Sequence, residues 1–272
     1  MSKRQPANDQ RASDRPPALF VRRRDRALEA AIANDRIAIV FQPQIEPASG
    51  RIVAVEALAR WGKQDSAAGL FERAAVAGLS ERLSRFAQRK ALRVAGGWGP
   101  PLSGLKLSIN VLAEDLARDG YGAWLLAEIA AAGLTPDRVT VEITEGNLLA
   151  DLALAARRLG RLRNAGIQVA VDDFGTGFAS LTYLTSLPLD ALKIDRGLVA
   201  DLVAGQRDRI VVQATIGLAR ELGLKVVVEG VETAGQLALL AEWGCDLYQG
   251  FLGAAALDDG ELARFIGASQ AA

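Results

Sequence analysis

Histidine is absent from the 272-residue sequence, and cysteine occurs once, at position 245. The absence of histidine excludes His-based zinc sites and the Ser-His and Cys-His pairs of nucleophilic hydrolases. A lone cysteine excludes an internal disulfide framework, and Cys245 is expected to be a small buried apolar side chain. Any metal must therefore be held by oxygen ligands, which favours magnesium, manganese or calcium.

Net charge and long apolar runs are lacking as well. The 32 Lys and Arg residues balance 32 Asp and Glu residues, which argues against polymeric nucleic acid as a partner but allows a local basic pocket. No apolar run approaches the length of a membrane span, and residues 18–21 are too few for the core of a signal peptide. We therefore expect a cytoplasmic protein.

Hydrophobic residues make up half of the chain, enough to bury a sizeable core. The first 20 residues are polar, charged and proline-containing, and they predict a disordered N-terminal tail. Residues 21–272 are predicted to form one folded domain.

The stretch from Ile167 to Gly177 combines an apolar strand, the adjacent pair Asp172 and Asp173, and a Gly-x-Gly turn. Burying two neighbouring carboxylates is costly unless a cation neutralises them. At the end of a strand the two side chains can diverge, each towards its own metal. The alternative is that Asp173 caps the next helix while Asp172 is solvated.

Strand-like and helical patterns alternate along the chain and predict an α/β fold. The predicted strands are residues 37–42, 52–61, 105–110, 138–144, 167–173, 190–194, 224–228 and 245–248. Eight such units in this length favour a TIM-like (β/α)8 barrel, which gathers its active site at the carboxyl ends of the strands. Polar residues at or near these ends would then converge: Glu56, Asn110, Glu142, Asp172, Asp173, Lys193, Glu229 and Gln249.

An ordered set of motifs resembles the EAL domain family, phosphodiesterases specific for cyclic di-GMP, from about residue 25 to the end. The motifs are Phe41-Gln42-Pro43, Glu56-Ala57-Leu58 with Arg60, Ser108-Ile109-Asn110, Val141-Glu142-Ile143-Thr144-Glu145, Asp172-Asp173-Phe174-Gly175-Thr176-Gly177, Leu192-Lys193-Ile194-Asp195, Glu229-Gly230-Val231-Glu232 and Gln249-Gly250. The resemblance implies a TIM-like barrel modified by an antiparallel first strand.

The resemblance also implies a role for each matching residue. Metal ligands would be Glu56, Asn110, Glu142 and Asp172 for a first ion, Asp172 and Asp173 for a second, with Glu232 and Gln249 supporting the second site and the substrate. Lys193 would orient the attacking water or stabilise charge, Glu229 would be the general base, and Glu145 would fix the loop after Asp173. Gln42 and Arg60 would belong to the substrate pocket.

The implied reaction is hydrolysis of cyclic di-GMP to linear pGpG with two Mg²⁺ or Mn²⁺ ions, with Ca²⁺ expected to inhibit. A homodimer is expected to form near the loop beginning at Asp173, with Phe174, Phe178 and Tyr183 supplying apolar surface. The alternative is that these aromatics pack inside the monomer. Regulation is expected through dimerisation, the tail or a regulatory protein partner.

Two other functions remain open at this point. One is a catalytically silent EAL barrel that acts as a cyclic di-GMP receptor or as a protein-interaction module. The other is an unrelated metal-dependent barrel such as an enolase-type lyase, which the adjacent Asp172 and Asp173 disfavour. Three segments, residues 62–69, 74–78 and 254–256, depart from the family pattern away from the implied metal ligands.

Overall fold

Eight strands close into a barrel in chain order in the computed structural model, which describes residues 24–62, 66–144, 151–175 and 181–270. The strands are β1 (Ala38–Ile45), β2 (Ile52–Arg60), β3 (Lys106–Val111), β4 (Val139–Thr144), β5 (Gln168–Phe174), β6 (Ala191–Ile194), β7 (Lys225–Val228) and β8 (Leu247–Tyr248). The predicted TIM-like barrel is confirmed.

Helices lie between most of the strands. They are α1 (Arg26–Ala33), α2 (Ala67–Ala77), α3 (Ser80–Gly96), α4 (Ala113–Leu116), α5 (Tyr121–Ala131), α6 (Leu152–Asn164), α7 (Leu181–Ser186), α8 (Arg196–Val199), α9 (Gln206–Glu221), α10 (Ala234–Glu242) and α11 (Asp259–Gln270), with a 3₁₀ turn at Pro136–Arg138. In α6, Asp151 caps the N-terminus, and Ala155, Leu159 and Leu162 are buried. Their spacing of three to four residues places all three on one face of the helix.

The first strand runs against its neighbours, as the resemblance implied. β1 is antiparallel to β2, where Gln42 lies opposite Glu56, and to β8, where Ile45 lies opposite Tyr248. The pairs from β2 to β8 are all parallel. The start of β1 therefore lies at the same end of the barrel as the carboxyl ends of the other seven strands.

The prediction that β1 stops before Pro43 is wrong, because the strand continues to Ile45. Phe41 N–H donates to Leu257 O at 2.7 Å, on the side away from β2. With the two-residue period of a strand, the nitrogen of Pro43 points to the same side. Proline therefore removes no hydrogen bond from the β1–β2 ladder.

Several other predictions concern residues outside the described ranges, namely the tail at 1–20, Glu145 and Phe178. Cys245 is buried, as predicted. Within the described residues, no helix combines the length and the apolar character needed to cross a membrane.

Candidate metal and catalytic site

Lys193 lies at the centre of the barrel, fully buried among four carboxylates. Its Nζ atom lies 2.7 Å from Glu229 Oε1, 2.8 Å from Glu142 Oε2, 3.1 Å from Asp172 Oδ1 and 3.2 Å from Glu56 Oε2. Burial alone would lower the pKa of Lys193, but the surrounding carboxylates raise it well above its usual value. The side chain is therefore a fixed positive charge.

The carboxylates form two groups that share Asp172. Glu56, Glu142 and Asp172 make one group, and Asp172, Asp173 and Glu229 make the other. Within each group, one oxygen from every residue lies within 4.8 Å of the others. Two overlapping sets of oxygen donors suit a pair of hard divalent cations that share one ligand.

Negative charge in this cluster exceeds what Lys193 can neutralise. Burial raises the pKa of Glu142 well above its usual range, and it raises the pKa of Glu229 to about 7 and of Asp173 to about 6. Glu56 is the exception: burial would raise its pKa, yet Lys193 and two side-chain amides lower it overall. Cations bound at the two groups would relieve the repulsion, so the donors fit divalent metals.

Asp173 has a left-handed backbone, with φ of 59°. It belongs to β5, and its N–H donates to Asp172 Oδ1 at 2.9 Å. Successive residues of a regular strand point to opposite faces. The positive φ interrupts that alternation and lets two adjacent carboxylates join one cluster.

Amide side chains donate hydrogen bonds to the carboxylates of the cluster. Asn110 Nδ2 donates to Glu56 Oε1 at 2.9 Å, which leaves the Asn110 carbonyl oxygen as an acceptor. Gln249 Nε2 donates to Glu56 Oε2 at 2.8 Å and to Glu229 Oε1 at 3.1 Å. Gln44 in turn donates to Gln249 Oε1 at 3.2 Å.

Gln44 and Gln88 also support the site, although the sequence did not identify them as candidate site residues. Gln88 Nε2 donates to the main-chain oxygen of Asn110 at 2.9 Å, and Tyr121 OH donates to Gln88 Oε1 at 3.0 Å. Two signals were available. Gln88 interrupts the apolar face of α3, and Gln44 lies two residues after Gln42 and so shares its side of β1.

A cavity of about 420 Å³ opens beside the cluster, at the carboxyl ends of the strands. Its lining includes Gln42, Leu58, Phe71, Asp173 and Glu229. The apolar wall and the polar floor are typical of a small-molecule site.

Two predicted site residues lie apart from the cluster. Arg60 is half-buried and donates a hydrogen bond to Ala59 O. Burial lowers the pKa of Arg60, and the negative charge of Glu56 partly offsets that lowering. Glu232 is exposed at the start of α10, where its N–H donates to Gln236 Oε1 at 2.8 Å. It belongs to neither carboxylate group.

The aromatic residues expected to supply dimer surface are placed differently. Phe174 is 8% exposed and Tyr183 is 2% exposed, and both pack in the core of the monomer. The expectation that these two side chains present apolar surface is therefore wrong, because the barrel and its helices already cover them.

The sequence matches the family model described as the EAL domain over residues 25–256. The cyclic di-GMP phosphodiesterase NbdA of Pseudomonas aeruginosa is 37% identical over 235 residues, which cover 83% of this chain and 29% of NbdA. The chain spans about a third of the length of the curated relatives it matches.

Solved structures are similar in fold and sequence. The PaMucR phosphodiesterase in complex with c-di-GMP has a TM-score of 0.78 at 30% identity, over 86% of this chain and 97% of that chain. BlrP1 of Klebsiella pneumoniae, in a manganese complex with cyclic di-GMP, has a TM-score of 0.72 at 32% identity, over 82% of this chain and 56% of BlrP1. A calcium complex of BlrP1 with the same nucleotide is also 32% identical in sequence. Its TM-score is 0.73, over 82% of this chain and 58% of BlrP1.

Proposed function

The chain belongs to the EAL domain family, and on this premise we propose that it hydrolyses cyclic di-GMP to linear pGpG using two Mg²⁺ or Mn²⁺ ions. The observation that carries the proposal is the pair of carboxylate groups sharing Asp172 around the buried Lys193. A receptor has no need of this arrangement, because a buried excess of carboxylates costs stability unless cations compensate it.

The residues assigned to the ions follow the two groups, except that Glu229 is assigned to proton transfer. Glu56, Glu142 and Asp172, with the Asn110 carbonyl oxygen, would hold one ion, and Asp172 with Asp173 would hold the other. Such ions, when bound, lower the pKa of a coordinated water and stabilise charge on phosphoryl oxygens. Glu232 stays a predicted support for the second ion, and its exposed position makes an indirect contact the natural one.

Side chains of the protein would accept the proton of the attacking water and stabilise the negative charge on the phosphate. Lys193 and Gln249 both contact Glu229 Oε1, which leaves Glu229 Oε2 to accept the proton of the attacking water. As the water oxygen bonds to phosphorus, the bond from phosphorus to the leaving 3′ oxygen breaks. That oxygen takes a proton from solvent, to which Glu229 then releases the proton it accepted. Lys193 stabilises the added negative charge.

The cavity beside the cluster would take the nucleotide. Gln42 lies on its wall, and Phe71 offers an aromatic face of the kind that stacks on bases. Arg60, at the end of β2, would contact the nucleotide from outside the described cavity. Glu145 would fix the loop after Asp173.

The test is incubation of the purified chain with cyclic di-GMP and Mg²⁺, followed by chromatographic separation of the nucleotides. We expect pGpG to accumulate in proportion to enzyme, and Glu229→Gln to abolish it. Tight binding of cyclic di-GMP by the wild type without any product would contradict the proposal and would favour a receptor.

A further inference from the structure

We propose that the opposite end of the barrel holds a second site, which binds a small phosphorylated metabolite about the size of a sugar phosphate. A cavity of about 430 Å³ opens there, a volume within the roughly 300–1,000 Å³ typical of small-molecule sites. It shares no lining residue with the cavity at the carboxyl ends of the strands, although Glu142 and Lys193 of the cluster lie at its inner end. The proposal goes beyond the proposed hydrolysis.

The position of this cavity follows from the strand register. It is lined by residues at or near the starts of the parallel strands and at the end of the antiparallel β1, including Gln44, Ala54, Lys106, Gln168 and Lys225. These residues define the amino-terminal end of the barrel, opposite the carboxylate cluster.

Small side chains create the space. The lining positions two residues before Glu56, Asn110, Glu142, Asp172 and Lys193 are Ala54, Ser108, Thr140, Ala170 and Ala191. With the two-residue period of a strand, these five side chains share the inner face of the barrel with the cluster residues. Interior positions of TIM barrels are usually filled by bulky branched residues, so these small residues leave an open interior layer below the cluster.

Two residues with hydroxyl side chains line the cavity. Ser108 is 3% exposed and Thr140 is 9% exposed. Neither hydroxyl makes a hydrogen bond to any of the residues that the structure describes. Both residues line the cavity, so a ligand inside it can hydrogen-bond to their hydroxyl groups.

The mouth of the cavity is positively charged. Lys106 donates to the neutral side chain of Gln168 at 3.0 Å, and Lys225 is exposed. Neither lysine forms a salt bridge within the described part of the chain. The nearby carboxylate of Asp190 is already engaged by Arg163 Nε at 2.8 Å and Val169 N at 2.9 Å.

These features select the class of ligand. The ammonium groups of Lys106 and Lys225 suit a phosphate, and the hydroxyl groups of Ser108 and Thr140 suit a polyol portion reaching inward. None of the lining residues is aromatic, so the cavity has no ring on which a base could stack. A phosphorylated sugar or polyol therefore fits better than a nucleotide.

The test is calorimetric titration of the full chain with glucose 6-phosphate, glycerol 3-phosphate and inorganic phosphate. A metal chelator is included, so that no metal bound at the carboxylate cluster can hold the phosphate group. The variants are Lys106→Met, Lys225→Met at the exposed rim and Thr140→Val, which keeps the side-chain shape. Arg36→Met, an exposed cation before β1, is the matched control.

We expect saturable binding of at least one phosphate ester, tighter than that of inorganic phosphate. Each cavity variant should weaken it about tenfold, with Arg36→Met unchanged and thermal melting confirming that each variant is folded. The proposal is overturned if no probe binds saturably, if inorganic phosphate binds as tightly as the esters, or if folded cavity variants bind like wild type. None of these outcomes depends on hydrolysis of cyclic di-GMP.

Discussion

Lys193 Nζ lies 2.7 Å from Glu229 Oε1, and this contact places a fixed cation beside the group assigned to accept a proton. The same ammonium also contacts three of the carboxylates assigned to the metals. One side chain thus links the predicted metal and acid–base functions, which makes its removal informative.

Replacing Lys193 with methionine should abolish turnover and destabilise the metal-free protein. Removing one partner of a buried ion pair costs about 3 to 5 kcal/mol, because the remaining charge is left uncompensated. Denaturant unfolding in chelator measures the loss, and added Mg²⁺ should restore part of it. Arg24→Met, which breaks an exposed pair with Glu29, should cost about 1 kcal/mol or less. A Lys193→Met protein with wild-type turnover would exclude the proposed role.

Asp173→Asn should abolish turnover without destabilising the fold. Asparagine tolerates the left-handed backbone at this position. Because burial and Asp172 raise the pKa of Asp173 to about 6, its charge opposes folding at neutral pH, and removing it should leave melting equal or higher. Asp35→Asn is the matched control, since Asp35 also has a positive φ of 57° but lies between α1 and β1. A folded Asp173→Asn variant with near-normal turnover would show that Asp173 is not a required ligand.

The rate of hydrolysis should depend on which divalent metal is supplied. Exhaustive chelation should remove activity, Mg²⁺ or Mn²⁺ should restore it, and Ca²⁺ should inhibit, since its larger radius and looser geometry disturb a pair of ions that activates water. Initial rates with each metal, alone and in competition, measure this. Undiminished activity after chelation would contradict any metal-dependent mechanism.

Gln88→Leu should weaken the metal site although Gln88 contacts no carboxylate of the cluster. Its amide holds the main chain at Asn110, and loss of such supporting contacts typically costs about 10- to 100-fold in metal affinity or activity. The Mg²⁺ concentration at half-maximal rate should rise more than the maximal rate falls. Tyr121→Phe keeps the bond from Gln88 to Asn110, so its Mg²⁺ dependence should match wild type. Equal effects of the two variants would indicate a purely structural network.

Dimerisation remains a prediction, now without Phe174 and Tyr183 as contact residues. Light scattering across a dilution series, read beside specific activity, tests it. A dimer whose dissociation lowers specific activity supports coupling through the loop after Asp173. A monomer of constant specific activity at every concentration contradicts it.

The sequence predicted the barrel because alternating strand and helix patterns leave few architectures for eight units in this length. It also predicted which polar residues meet, since the carboxyl ends of parallel strands share one end of a barrel. Two local features of the backbone could not be predicted from the sequence. The left-handed backbone of Asp173 depends on the residues packed around it. The continuation of β1 through Pro43 depends on the proline nitrogen pointing away from β2.

The buried amides and the second cavity also escaped prediction, for a different reason. The positions of Gln44 and Gln88 indicate buried amides, but only their hydrogen-bond partners show what these amides support. The residues of the open interior layer, such as Ala170 and Ala191, are unremarkable in sequence. The space they leave appears only when the strands are placed in register.

The most direct test is the initial rate of pGpG formation as Mn²⁺ is titrated into the chelated and desalted chain at protein concentrations well above the metal affinity. We expect little activity at one equivalent of metal per chain and a plateau at two, because the two carboxylate groups share Asp172 and both must be filled. A full rate at one equivalent, or no pGpG at any Mn²⁺ concentration, would contradict it.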